Sequence, residues 1–164
     1  MTLAVDIPAF SMIHTAIYAL LIYIAIIDIR KMIIPNLPLF LFTLAAGVDV
    51  YLRTPDQFLL HLLCLVLTFI VLAGFYAAVL MKLGQEGLGF GDVKLFSAGG
   101  LWVGFDGVST MLLIASILGL GYGLALSVKL RISRQLKFPF GPFVCAGIVA
   151  GKALNSGVFH HVSP

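Results

Sequence analysis

Stretches free of Asp, Glu, Lys and Arg divide the chain into six apolar runs: 7–27, 32–48, 57–81, 95–105, 107–128 and 138–151. A helix needs about 20 such residues to cross the hydrocarbon core of a bilayer, and the first, third and fifth runs reach that length. The first run has no basic stretch before it and no small-residue cleavage site before its end, so it reads as a retained helix and not a signal peptide. The second opens with Pro35-Asn36-Leu37-Pro38, where prolines suit the start of a helix. The fourth is too short to cross at about 1.5 Å per residue, unless its helix begins near Asp92 or is partly re-entrant. The pattern predicts an all-α integral membrane protein with about six transmembrane helices, the fourth short, in a single domain over residues 1–164.

Composition strengthens this. Of 164 residues, 61% are hydrophobic and 10% charged, too little polar surface for a soluble domain. The formal charge of +3 comes from basic residues scattered between apolar runs, not from a continuous stripe, which argues against nucleic-acid binding. Those residues instead set orientation. Arg30, Lys31, Lys82, Lys94, Lys129, Arg131, Arg134 and Lys137 share one side, and only Arg53 and Lys152 fall on the other. The positive-inside rule makes the first side cytoplasmic and puts both termini outside.

Topology then sorts the acids. Asp6, Asp49, Asp56 and Asp106 fall towards the outer face, where they are expected to be solvated or to cap helices. Asp28, Glu86 and Asp92 fall towards the cytoplasmic face. Asp28 ends the first run and Asp92 precedes the fourth, so the two can meet at similar depth. Glu86, in the polar loop Gly84-Gln85-Glu86-Gly87, is expected to be hydrated, with a contact to a basic substrate segment as its alternative use. Asp92 alone is equally well read as a helix N-cap. Its pairing with Asp28 is what raises the chemical reading.

Other features read as packing. Gly100 and Gly104, Gly119 and Gly123, and Gly147 and Gly151 place small residues on single helix faces, suited first to internal contacts and second to a homodimer. Cys64 and Cys145 lie in apolar runs without a Cys-x-x-Cys pair, and His14, His61, His160 and His161 lack metal-ligand spacing, so neither a metal nor a cofactor is expected.

Two carboxylates brought close do not both ionise cheaply, so one holds a proton while the other stays charged. The charged member can take a proton from an attacking water, and the protonated member can polarise a peptide carbonyl and protonate the leaving amine. No serine or cysteine nucleophile with a partner base stands out, which favours water-based hydrolysis. A small proton- or cation-coupled transporter is the rival reading of acids in a membrane protein, although the sequence shows no internal repeat.

The residues reach a family here. Gly89-Phe90-Gly91-Asp92-Val93-Lys94 resembles the GxGD motif of membrane aspartyl proteases. Asp28, followed by Ile34-Pro35-Asn36, resembles the other aspartate motif of type IV prepilin peptidases, and Pro139-Phe140-Gly141-Pro142 resembles that family's late turn before its last helix. The resemblance implies removal of short basic leaders from prepilins or pseudopilins whose leader precedes an apolar helix. It places a multi-pass enzyme in the inner, cytoplasmic membrane among its lipids, with its site facing the cytoplasm and with Asp28 and Asp92 as the catalytic pair. It also implies positioning roles for Pro35, Asn36, Gly89, Gly91, Lys94, Pro139 and Gly141. Larger members carry a cytosolic region with paired Cys-x-x-Cys motifs and N-methylate the product. This chain joins its first two runs by a few residues and lacks those cysteines, so methyl transfer is expected to be absent. In size it resembles the small branch that serves tight-adherence pili, and also archaeal preflagellin peptidases. The two glycines before Asp92 are expected to hold unusual backbone angles in a loop that shifts to admit substrate.

Overall fold

The computed structural model describes residues 7–84, 89–130 and 138–159, which form helices and short connections only. In chain order these are α1 (Ile7–Lys31), α2 (Asn36–Arg53), a 3-10 turn (Pro55–Gln57), α3 (Phe58–Leu83), α4 (Phe90–Leu130) and α5 (Gly141–Phe159). Among the described residues, three stretches are long and apolar enough to cross a membrane, Met12–Lys31, Pro55–Lys82 and Phe90–Val128, and Gly141–Leu154 is a shorter apolar helix. The protein is therefore an all-α membrane protein.

The helix ends follow local chemistry. Met32 adopts the left-handed region (φ 53°) and its N–H bonds the carbonyl of Asp28 at 2.8 Å, which closes α1. Ile33 and Ile34 then lead to Pro35, whose extended backbone (φ −72°, ψ 133°) starts α2. Gly84, at φ 64°, ends α3 in the same left-handed way, with its N–H on the carbonyl of Leu80.

α4 is the organising element. It packs against α2, α3 and α5, and nearly every residue from Asp92 to Gly104 is buried, as suits a helix that is apolar all round. It begins at Phe90, before Asp92, so the fourth apolar run gains a turn at its start. Inside it, Gly104 leaves helical geometry (φ 72°, ψ −177°), one residue before the end of the fourth apolar run. A side chain there would meet the His61 ring at 2.8 Å, so close approach and positive φ both require glycine. The break frees carbonyls that an apolar setting does not tolerate unpaired. His61 Nδ1 donates to the carbonyl of Leu101 (2.7 Å), and Lys152 Nζ donates to that of Trp102 (2.9 Å).

The small residues serve internal packing. A Cβ on Gly147 would lie 2.5 Å from the carbonyl oxygen of Met111, and one on Gly151 would lie 2.8 Å from that of Gly107, so α5 lies directly against the second half of α4. α3 turns most of its large apolar side chains outward.

Asp49 departs from the sequence reading. Asp56 and Asp106 are exposed, but Asp49 is fully buried on the core face of α2, in line with Leu39, Phe42 and Ala46. Its carboxylate accepts from Arg53 Nε (2.8 Å) and Trp102 Nε1 (2.9 Å) and lies 3.3 Å from His14 Nε2. Treating each charge as a segment boundary ends the second run at Val48, whereas the helix continues to Arg53 because these partners satisfy the acid within it.

Candidate active site

The buried residues of α1 form one stripe, Ile17, Leu21, Ile24 and Asp28, at helical spacing. The last turn of α1 therefore delivers Asp28 to the interior, where it is 5% exposed. Asp92, 8% exposed, enters from the first turn of α4. Both carboxyls are therefore buried, one at the end of α1 and one at the start of α4.

Each aspartate is seated against a glycine. Asp28 Oδ2 accepts the backbone N–H of Gly141 at 2.8 Å, and a Cβ on Gly141 would lie 2.8 Å from that same oxygen. Gly141 opens α5 and follows Pro139 and Phe140. The N–H groups of Phe143 and Val144 bond the carbonyl of Phe140 and fix the turn, while the Phe140 ring packs on Phe96 and over Gly119. Asp92 folds back over Gly89: its N–H bonds the carbonyl of Gly89 at 3.0 Å, and a Cβ on Gly89 would lie 2.8 Å from Asp92 Oδ2. Gly91 packs on Ile34, whose Cβ would stand 3.1 Å from an added Cβ.

Among the described residues, neither Gly89 nor Gly91 has a positive φ; Gly84 and Gly104 are the glycines that do. The expectation of unusual backbone angles beside Asp92 is therefore corrected. These glycines give room to a carboxyl and to Ile34.

Lys94 Nζ donates to Asn36 Oδ1 at 3.3 Å and lies 5.1 Å above the Phe90 ring, which ties the start of α2 to the start of α4. Asn36 and Lys94 also line a groove of about 290 Å³ with Leu39, Phe69 and Ser97. Glu86 lies outside the described residues. The rest of the sequence-selected set, Asp28, Asp92, Gly89, Gly91, Pro35, Asn36, Lys94, Pro139 and Gly141, gathers where the end of α1 and the starts of α2, α4 and α5 converge.

Sequence reasoning missed two neighbours. Cys145, one turn after Gly141 on α5, is buried and contacts the carbonyl of Leu21 through Sγ at 3.4 Å. Ile34 fills the space that Gly91 leaves. Nothing in an apolar run distinguishes either one. Among the described residues, no three His, Cys, Asp or Glu side chains gather in a way that could hold a metal ion.

Residues 15–124, which include Asp28 and Asp92 and end before Gly141, match the type IV leader peptidase family. The chain is 34% identical over 139 residues to the prepilin leader peptidase/N-methyltransferase of Aeromonas salmonicida (strain A449), covering 79% of this chain and 45% of that protein. To the protein of the same description from Bacillus subtilis (strain 168) it is 29% identical over 131 residues, covering 80% of this chain and 51% of that protein. To that from Burkholderia pseudomallei (strain K96243) it is 41% identical over 64 residues, covering 39% of this chain and 21% of that protein. The chain thus spans about half the length, or less, of these curated relatives. No solved structure matches it.

Proposed function

Because the chain belongs to the type IV leader peptidase family, we propose that it is a membrane-embedded aspartyl endopeptidase that removes the leader of prepilin-like substrates. The observation that carries this reading is the burial of Asp28 at the end of α1 and of Asp92 at the start of α4, with a backbone N–H already engaging the Asp28 carboxyl. In the proposed reaction the ionised member takes a proton from water as its oxygen attacks the scissile carbonyl. The protonated member donates to the carbonyl oxygen in the tetrahedral intermediate, and a proton then passes to the departing amine.

The chain crosses the membrane six times in this reading, with α4 counted as two segments either side of Gly104 and both termini outside. The preponderance of basic residues on one side supports a cytoplasmic site. A basic leader lies along the anionic lipid surface there, while the substrate's apolar helix stays in the bilayer beside the groove at Asn36 and Lys94. The link between α1 and α2 is four residues, 32–35, and carries no cysteine. That short link supports peptidase action without methyl transfer.

The experiment is coexpression with a prepilin from Aeromonas hydrophila, whose prepilin leader peptidase/N-methyltransferase is 34% identical to this chain over 139 residues, with cleavage read by a gel shift. Asp28→Asn and Asp92→Asn should each abolish processing while the protein still inserts, because a neutral amide cannot serve in the pair. Near-normal cleavage by either variant refutes the assignment.

A further inference from the structure

The helices that carry Asp28 and Asp92 do not pack on one another: among the described residues, no Cα of α1 lies within 8 Å of a Cα of α4. Their relative height is therefore set through α2 and α5, which pack against both, and by side chains that reach across. Trp102 is such a side chain. Its ring, fully buried on α4, lies 6.1 Å from the His14 ring and 5.7 Å from the Tyr18 ring, both on α1. Its Nε1–H donates to Asp49 on α2, the same carboxylate that accepts from Arg53 and meets His14. One fully buried acid thus joins α1, α2 and α4.

We propose that Asp49 and Trp102 are positioning residues that fix the height of α4 against α1, and with it the spacing of the two candidate catalytic aspartates; this rests on the peptidase reading above. Apolar contacts are non-directional, so the helices can slide past one another at little cost. A hydrogen bond weakens steeply with misalignment, and a slide that broke this one would leave a buried carboxylate short of a donor. The break at Gly104 gives the pair leverage. It ends the straight part of α4 just after Trp102, ten residues or about 15 Å from Asp92. His61 from α3 and Lys152 from α5 hold the carbonyls at that end, and Lys152 Nζ also lies 5.2 Å over the Trp102 ring. Residues 90–103 therefore form a rod pinned at its far end by side chains of all four other helices, and its near end presents Asp92.

Trp102→Phe tests this because it keeps an aromatic ring and removes the donor. Two measurements are needed. The first is kcat and KM per folded molecule on an Aeromonas hydrophila prepilin. The second is the distance distribution between spin labels at Ile29 and Phe90, read by electron–electron double resonance. Both label positions are exposed, and the native Cys64 and Cys145 are buried. The expected result is a broadened or shifted distribution together with a fall in kcat of about tenfold or more at unchanged KM, since a ~1 Å misplacement can cost ~100-fold. A lower melting temperature with both readouts unmoved overturns the proposal and leaves a simple brace; movement of only one readout overturns it too. If Trp102→Phe does not fold, Asp49→Leu, which removes the acceptor of the indole N–H and leaves the ring in place, carries the same comparison. If the wild type cleaves no prepilin, the peptidase reading fails, while the label distances still decide whether the pair sets helix height.

Discussion

Adding one methyl group at Gly141 should disable the site without unfolding the protein. A Cβ there would lie 2.8 Å from Asp28 Oδ2, 3.0 Å from its Cγ and 3.1 Å from its Cβ. Aspartate has too short a side chain to move its tip aside while keeping its bond, so relief requires the carboxyl to leave the Gly141 N–H. A hydrogen bond to a charged group contributes about 1.5–3 kcal/mol. At about 1.36 kcal/mol per decade, Gly141→Ala should lower kcat by roughly 10- to 150-fold. Alanine is the better helix former at the start of α5, so helix propensity predicts no loss of stability. The assay is single-turnover cleavage of a prepilin by purified enzyme in detergent, normalised to folded protein. Gly121→Ala, which meets nothing within 4 Å, is the matched control. Turnover by Gly141→Ala within twofold of that control refutes the seating of Asp28 described above.

Gly91→Val should lose cleavage because its branched side chain drives into Ile34, and Ile34→Ala in the same chain should restore part of it; absence of any rescue argues that the contact is not the cause. Gly119→Ala should lower the melting temperature, since a Cβ would press into the Phe140 ring, and an unchanged melt contradicts the packing of that turn. Cleavage in detergent should persist with a strong chelator, and mass spectrometry of the product formed with S-adenosylmethionine present should show a free amine. Chelator-sensitive cleavage or a methylated product refutes the metal-free, peptidase-only reading.

Charge-free runs located α1, α2, α3 and α5 because apolar length is what a bilayer selects, whereas the fourth and fifth runs fall together in α4. They placed Asp28 and Asp92 at helix ends, and the structure buries both, one in the last turn of α1 and one in the first turn of α4. The same rule misjudged Asp49. A charge that finds donors within its own helix and across the bundle does not end a helix, and the partner that completes it, Trp102, lies 53 residues away. The spacing of Asp49 and Arg53 was the one legible hint, since residues four apart share a helix face. The seating of Asp28 was legible only through the late Pro-Phe-Gly-Pro turn, because no spacing in one helix reports contact with another.

The glycines decide between two pictures of the site. A loop that must swing to admit substrate calls for positive φ or open space around its glycines. Gly89, Gly91 and Gly141 have neither: each would press an added Cβ within 3.1 Å of Asp92, Ile34 or Asp28, respectively. Close packing of this kind holds side chains in single orientations. On the peptidase reading proposed above, the aspartates are seated before any substrate arrives, and the adaptation that exposes a scissile bond falls on the substrate, whose helix would unwind locally for its carbonyl to be attacked. A substrate with a helix-breaking residue at its cleavage site should therefore gain in kcat over one with alanine there. Equal kcat for the two would return the adaptation to the enzyme.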